Sequence, residues 1–169
     1  NFLGGYDFDR SIVEKIIVPY LESLGHFPDL LDDMRRDDGK YNLLYNSLLI
    51  KAEKAKIELS ASARTEVEFE TEDQNGESID GFLTITREQF EALVEPHLAN
   101  TLEMVGTILG QNQLSPKDLK FVLLVGGSTY IPFIREQITA RLGIPVNTEV
   151  DPTTAVTIGA AYYAGTKVL

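Results

Sequence analysis

Two periods divide the chain. Between residues 7 and 24, Phe8, Ile12, Val13, Ile16, Ile17, Tyr20 and Leu21 recur at helical spacing, with Asp7 in front of them as a candidate N-cap. Proline has no N–H and its ring crowds the carbonyl four residues back, so Pro19 is expected to kink or end this helix. A second helix is predicted from Lys40 to Ser60, with Tyr41, Leu44, Tyr45, Leu48, Ala52, Ala55 and Leu59 along one stripe. Between the two, the mixed-charge run "DLLDDMRRDDGK" reads as a solvated connection with at most one helical turn. The period then changes to two. In "TEVEFETEDQNGESIDGFLTIT", Val67 and Phe69 alternate with Glu66, Glu68 and Glu70, and Asn75-Gly76 has the chemistry of a tight hairpin turn.

A long helix follows. Thr86 and Gln89 form a capping box, and Phe90, Leu93, Val94, Leu98, Leu102, Val105 and Ile108 carry an apolar stripe to about Gly110, with Pro96 expected to bend it. After a turn at Ser115-Pro116, the apolar run 121 to 125 predicts a strand, and a further helix is expected from about Tyr130 to Leu142. A short strand precedes Asp151-Pro152, read as the N-cap and first residue of a last helix, "AVTIGAAYYAG". Its Gly159, Ala160 and Ala161 would let it lie close to a sheet. The first half therefore predicts an α+β unit of helices and a hairpin, and the second half an α/β layer.

Composition narrows the function. A chain of 169 residues can form one domain or two small lobes and bury roughly two-thirds of its unfolded surface. Its net charge of −11 is spread along the chain with no basic stripe, which argues against nucleic acid and anionic membrane as partners. There is no cysteine, and His26 and His97 are far apart, so no disulfide and no metal site is expected. Apolar runs are too short to span a bilayer and no signal segment opens the chain, a pattern that points to a cytoplasmic protein. The opening "NFLGG" reads as the middle of a fold, so a piece of a longer protein is expected.

Two features can carry chemistry. In "FVLLVGGSTYIPFIREQI" a buried strand runs into two glycines, a Ser-Thr pair and a helix start. Gly126 and Gly127 present bare backbone, Ser128 and Thr129 can donate or accept, and ligands of open α/β sheets bind at the carboxyl ends of strands. The plainer alternative is a tight connection in which Ser128 or Thr129 caps the helix. The turn has neither the Lys-Ser or Lys-Thr ending of a P-loop nor the third glycine of a dinucleotide fingerprint. On "KAEKAKIELS", Glu53, Lys56 and Ser60 fall within an arc of roughly 60° on one helix face. An acid, an ammonium and a hydroxyl on one ridge can hydrogen-bond a ribose or a purine edge. They can equally be a solvated helix face.

Four motifs join these features. "LGGYDFD" (3 to 9), "AEKAKIELS" (52 to 60), "LLVGGSTYIP" (123 to 132) and "DPTTAVTIGAA" (151 to 161) resemble, in order and separation, the seventy-kilodalton heat-shock chaperones of the DnaK type. The resemblance covers nearly the whole chain. It implies the second lobe of an actin-like, ribonuclease H-like ATPase domain, with an outer subdomain over residues 4 to 93 and part of an inner α/β subdomain over 94 to 169. It implies ATP or ADP as ligand, with Glu53, Lys56, Ile57 and Ser60 against the adenosine from one side and Gly126, Gly127, Ser128, Tyr130 and Thr153 from the other. Two positions depart from the family pattern: many members have arginine at Tyr130 and an acid at Thr153. A tyrosine ring can still stack on a base.

The resemblance also says what these residues lack. The phosphate loops and the acidic and lysine residues that hold magnesium and position water precede Asn1 in family order, so the chain by itself is expected to contain no catalytic residue and no metal ligand, and not to hydrolyse ATP. Implied partners are a nucleotide exchange factor on the outer lobe and, through the full-length parent, a J-domain co-chaperone and peptide clients. Two other classes compete: a nucleotide-dependent interaction module without peptide-chaperone activity, and a sugar kinase of the same superfold. The ordered "LGG…DFD" and "AEKAKIELS" motifs are not expected in the last.

Overall fold

A computed structural model describes residues 4–147, 151 and 154–167. The chain divides into two units, one up to Pro96 and one from His97 onward.

In the first unit, α1 (Gly5–Ile12) passes through a single π turn, Val13–Ile17, into α2 (Val18–Leu24). Asp7 is not the N-cap. Gly4 holds that position, and its N–H donates to the Asp7 carboxylate at 2.8 Å, so the acid closes the first turn from inside the helix. Nor does Pro19 end the helix, which continues to Leu24. The π turn stands immediately before it, where the Val18 N–H donates five residues back to the Val13 carbonyl. A widened turn of this kind relieves the regular ladder at the place where proline removes a donor.

The charged run folds into a short helix, α3 (Leu30–Arg35), that is more than a solvated link. Leu30 and Met34 are fully buried, Arg35 contacts the Glu14 carboxylate at 2.7 Å, and the Asp33 carboxylate accepts the Tyr41 N–H at 2.8 Å. Next, α4 (Asn42–Ala61) packs against α1 and the hairpin strand β1 through Tyr45, Leu48, Ala52, Ala55 and Leu59.

Strands β1 (Arg64–Glu72) and β2 (Ser78–Thr86) pair antiparallel, from Arg64 opposite Thr86 to Glu72 opposite Ser78. Val67 and Phe69 point inward and Glu66, Glu68 and Glu70 outward, as alternation requires. The connection is not a two-residue turn. It is a five-residue loop, 73 to 77, with a positive φ only at Gly76, and the Asp73 carboxylate organises it by accepting the N–H groups of Asn75, Glu77 and His26. Three charged acceptor bonds to backbone outweigh the intrinsic preference of Asn-Gly for a tight turn. Thr86 and Gln89 close the predicted capping box over α5 (Arg87–Gln111), whose Phe90 and Val94 complete the core.

In the second unit, β3 is only Val122–Leu123, shorter than the predicted strand, and pairs in parallel with β4 (Val146–Asn147). Between them run a 3-10 turn, Gly127–Tyr130, and α6 (Pro132–Leu142), whose Ile134 and Ile138 are buried. The last helix, α7 (Ala155–Gly165), starts later than predicted. Asp151 is not its N-cap, although the Asp151 carbonyl accepts the N–H groups of Thr154 and Ala155. Pro152, predicted as the first helical residue, lies outside the described residues.

Candidate functional site

Each predicted cluster is built within one unit. On α4, Lys56 is not a solvated lysine. Its Nζ lies 2.7 Å from Asp9 Oδ1 and donates to Asp9 Oδ2 at 3.0 Å and to the Gly5 carbonyl at 3.3 Å. Both side chains are largely enclosed, Lys56 at 13% and Asp9 at 8% exposure. Helix α1 brings Asp9 there because Phe8 and Ile12 turn its apolar face inward, and α4 brings Lys56 because Ala52, Ala55 and Leu59 keep the helices close. Burial pushes the Asp9 carboxyl above its ordinary range and the charge of Glu53 adds to this, while the bond and charge of Lys56 pull the other way.

The rest of the ridge is more open. Glu53 and Ile57 are exposed, and Ser60 is half-buried with its hydroxyl donating to the Lys56 carbonyl at 3.0 Å. That bond leaves the hydroxyl oxygen's lone pairs available to accept. Glu53, Lys56 and Ser60 thus share a ridge, but the ammonium is turned toward α1.

In the second unit, Gly126 has φ +99°, a conformation that side chains with a Cβ rarely adopt, and a Cβ at Gly126 or Gly127 would meet nothing within 4 Å. The turn is held by Thr129, whose N–H and hydroxyl both donate to the Gly126 carbonyl, at 3.1 and 2.7 Å. Neither Ser128 nor Thr129 caps α6, since the N-cap position belongs to Ile131 and carries no side-chain bond. The 3-10 turn, which begins at Gly127, stands between Gly126 and the helix, so the turn is not a strand-to-helix connection of the simple kind.

Tyr130 is fixed from two directions. Its hydroxyl donates to Asp151 Oδ1 at 2.6 Å, and the Arg135 guanidinium lies 5.4 Å from the ring centre while its Nε donates to the Thr129 carbonyl at 2.6 Å. Thr153 lies outside the described residues. Among the described residues no group of three His, Asp or Glu side chains could hold a metal ion, and no helix is long and apolar enough to cross a membrane.

Comparison with known proteins decides the family. A family model described as "Hsp70 protein" matches residues 1–168. "Chaperone protein dnaK3" of Synechococcus elongatus is 36% identical over 169 residues, covering 96% of this chain and 21% of the relative. "Chaperone protein DnaK 1" of a Synechococcus species matches to the same extent, 36% over 169 residues. The chain belongs to the seventy-kilodalton heat-shock chaperone family. It spans about a fifth of the length of these curated DnaK relatives.

Within this heat-shock chaperone chain, Asp9 is the site-neighbouring residue that sequence reasoning passed over. It stands in "LGGYDFD", a stretch quoted for its resemblance, but its partner is 47 residues away. The available signal was a carboxylate on the same helical face as buried Phe8 and Ile12, which demands a buried counter-charge. Asp151 was likewise read only as a cap, and its bond to Tyr130 joins residues 21 apart.

Proposed function

We propose that the chain is the second lobe of a DnaK-type chaperone's actin-like ATPase domain and contributes to binding the adenosine of ATP or ADP. In this reading Glu53, Lys56, Ile57 and Ser60 contact the nucleoside from α4. Gly126, Gly127, Ser128 and Tyr130, with Thr153, contact it from the second unit. The observation that carries the reading is the largely enclosed Lys56 ammonium, fixed beside the ridge that the family's "AEKAKIELS" motif supplies.

The residues fit the ligand chemically. Lys56 and the Ser60 hydroxyl can bond ribose hydroxyls or ring nitrogens, an exposed carboxylate at Glu53 can accept from hydroxyls, and glycines 126 and 127 leave backbone open to close approach. Tyr130 offers a ring face at the position where many family members have arginine. Bound nucleotide would supply the phosphates on which hydrolysis is done. In family order the magnesium ligands and catalytic residues lie in other segments, so the reading assigns neither to these residues. The same reading gives the first unit a nucleotide exchange factor as partner, with a J-domain co-chaperone and peptide clients acting on the full-length protein.

Calorimetry with ADP tests it. In the full-length protein Lys56→Ala should weaken ADP by about 1 to 3 kcal/mol, the range for a charged hydrogen bond. Gly127→Val should weaken it at least as much, because open space at that Cβ lets the branched side chain enter ligand volume without a clash in the fold. The 169-residue chain should bind ADP weakly and show no ATPase activity above buffer. Unchanged ADP affinity in both folded variants would make the ridge and the turn structural features only. Hydrogen exchange with a cognate exchange factor checks the partner: protection is expected on α4 and the hairpin, and its absence there removes the assignment.

A further inference from the structure

The Asp9 carboxylate belongs to none of the residue sets that the family resemblance carries over, yet it has the most committed geometry near the proposed site. A lysine ammonium is a compact charge on a flexible stem with three donors, and on an open helix face it would sample many rotamers. Here the stem is nearly enclosed and the ammonium meets both Asp9 oxygens, at 2.7 and 3.0 Å, with the Gly5 carbonyl more distant at 3.3 Å.

We infer that Asp9 is the positioning residue for Lys56: it holds the ammonium at a fixed place on the α4 ridge, so that a nucleoside oxygen or nitrogen meets a donor already oriented. The inference rests on the adenosine reading of Lys56. The contact most readily exchanged for a ligand atom is the long one to Gly5, which leaves the Asp9 pair intact. The charged side chain that acts on Asp9 from α4 besides Lys56 is Glu53, which is exposed and disfavours a second negative charge. Glu53 adds to the burial that disfavours the Asp9 charge, and Lys56 opposes both. A buried pair of this kind adds little net stability compared with apolar residues of the same volume, so its geometric role is the more informative one.

Two measurements on folded protein test the inference, the first without nucleotide. Competitive acetylation with trace acetic anhydride, read by mass spectrometry, compares Lys56 with the exposed Lys15 and Lys54 in the 169-residue chain. Lys56 should react on the order of tenfold more slowly, because its amine is enclosed and held against the Asp9 carboxylate. Asp9→Asn and Asp9→Ser should abolish the difference, and Asp9→Glu should restore part of it. Circular dichroism and thermal melting identify which variants are folded, and Asp9→Glu, which keeps the charge, carries the comparison if the other two are not. The second measurement is ADP calorimetry on the full-length protein. Asp9→Asn should weaken ADP about tenfold, and should cost nothing further in a Lys56→Met background, as a pair acting through one ammonium requires. Unchanged Lys56 acetylation in folded Asp9→Asn or Asp9→Ser overturns the inference whatever ADP does, and so does complete loss of protection in folded Asp9→Glu. An equal ADP loss with and without Lys56 also overturns it, because Asp9 would then act through the fold. If acetylation responds as expected but Lys56→Met leaves ADP affinity unchanged, the adenosine reading is what fails, and the role at the nucleoside falls with it.

Discussion

In the first unit Ile12, Val13, Ile17, Leu21, Leu30, Met34, Leu48 and Ile85 are each 0% exposed, whereas in the second no described residue of α7 is buried, and Val156 and Tyr162 stand 69% and 75% exposed. Both regions are rich in apolar residues, so composition does not account for the contrast. The first unit has surfaces for its side chains to meet: a hairpin of two nine-residue strands, a twenty-residue α4 against α1, and the first turns of α5. Among the described residues the second has strands of two residues each, which make few ladder bonds and present a narrow face to the helices. An apolar helix becomes core only where a matching surface exists.

The largest expected effect tests that contrast directly. Leu48→Ala should destabilise the first unit by about 2 to 5 kcal/mol, the range for a truncated core leucine. Ile158→Ala, at a position 49% exposed, should stay within about 0.5 kcal/mol. Urea unfolding with an unchanged m-value reads both, and equal costs would erase the distinction between a closed and an open core.

Next in size is the acid that ties three helical segments of the first unit together. The Glu14 carboxylate accepts from Arg35 at 3.2 Å and from the Tyr45 hydroxyl at 2.8 Å, with Arg10 at 3.4 Å. Burial pushes Glu14 up, but the bonds from Arg35 and Tyr45 and the two guanidinium charges hold it below the usual carboxylate range. Its unfolded form therefore binds a proton more readily than its folded form. The stability it contributes is present above about pH 4.3, the ordinary glutamate value, and is lost as pH falls through the lower folded value. Asp9 has the opposite sign. Its raised folded pKa makes stability fall as pH rises from about 3.9, the ordinary aspartate value, through the folded value. Glu14→Gln should cost about 1.5 to 3 kcal/mol near neutral pH, as for hydrogen bonds to a charged group, and should flatten the acid limb. Asp9→Asn should steepen net stabilisation across the same limb by removing the opposing contribution. Denaturation curves across acid pH check both, and a Glu14→Gln profile parallel to that of the unsubstituted chain would show that Arg35 and Arg10 do not lower this carboxyl.

The smallest effect separates two adjacent glycines of the second unit. Gly126→Ala should cost on the order of 1 to 2 kcal/mol, because a Cβ at φ +99° is strained even in open space. Gly127→Ala should be nearly neutral, since its backbone needs no positive φ and a Cβ there meets nothing within 4 Å. Hydrogen exchange of the Thr129 amide, which donates to the Gly126 carbonyl at 3.1 Å, is the local readout. Equal exchange in both variants would mean that the positive φ does not hold the turn.

Periodicity alone located α4, the hairpin and α5, because each buries one continuous face and repeats its pattern over several turns or pleats. Boundaries were less legible. Asp7 was one position class away from its role, since a carboxylate in the first turn can serve as N-cap or as the third helical residue with the same sequence signature. The Asn-Gly loop is longer than its local chemistry predicts because Asp73 reaches a backbone N–H at His26, 47 residues away, and so favours a longer connection. Pro19 marks an irregularity in the first helix, but nothing local says that it takes the form of a π turn.

What the sequence determined by itself is the family, from four ordered motifs, together with the ridge spacing of Glu53, Lys56 and Ser60 and the glycine pair at 126 and 127. Those are properties of nearest neighbours along the chain, fixed by helical rise and by the absence of a Cβ. Only tertiary structure decided that the Lys56 ammonium turns to Asp9, that Tyr130 is held by Asp151 and Arg135, and that one unit closes its core while the other exposes α7. The Lys56–Asp9 and Tyr130–Asp151 contacts join groups 47 and 21 residues apart at about 3 Å, a range at which charge is felt and which no local period encodes.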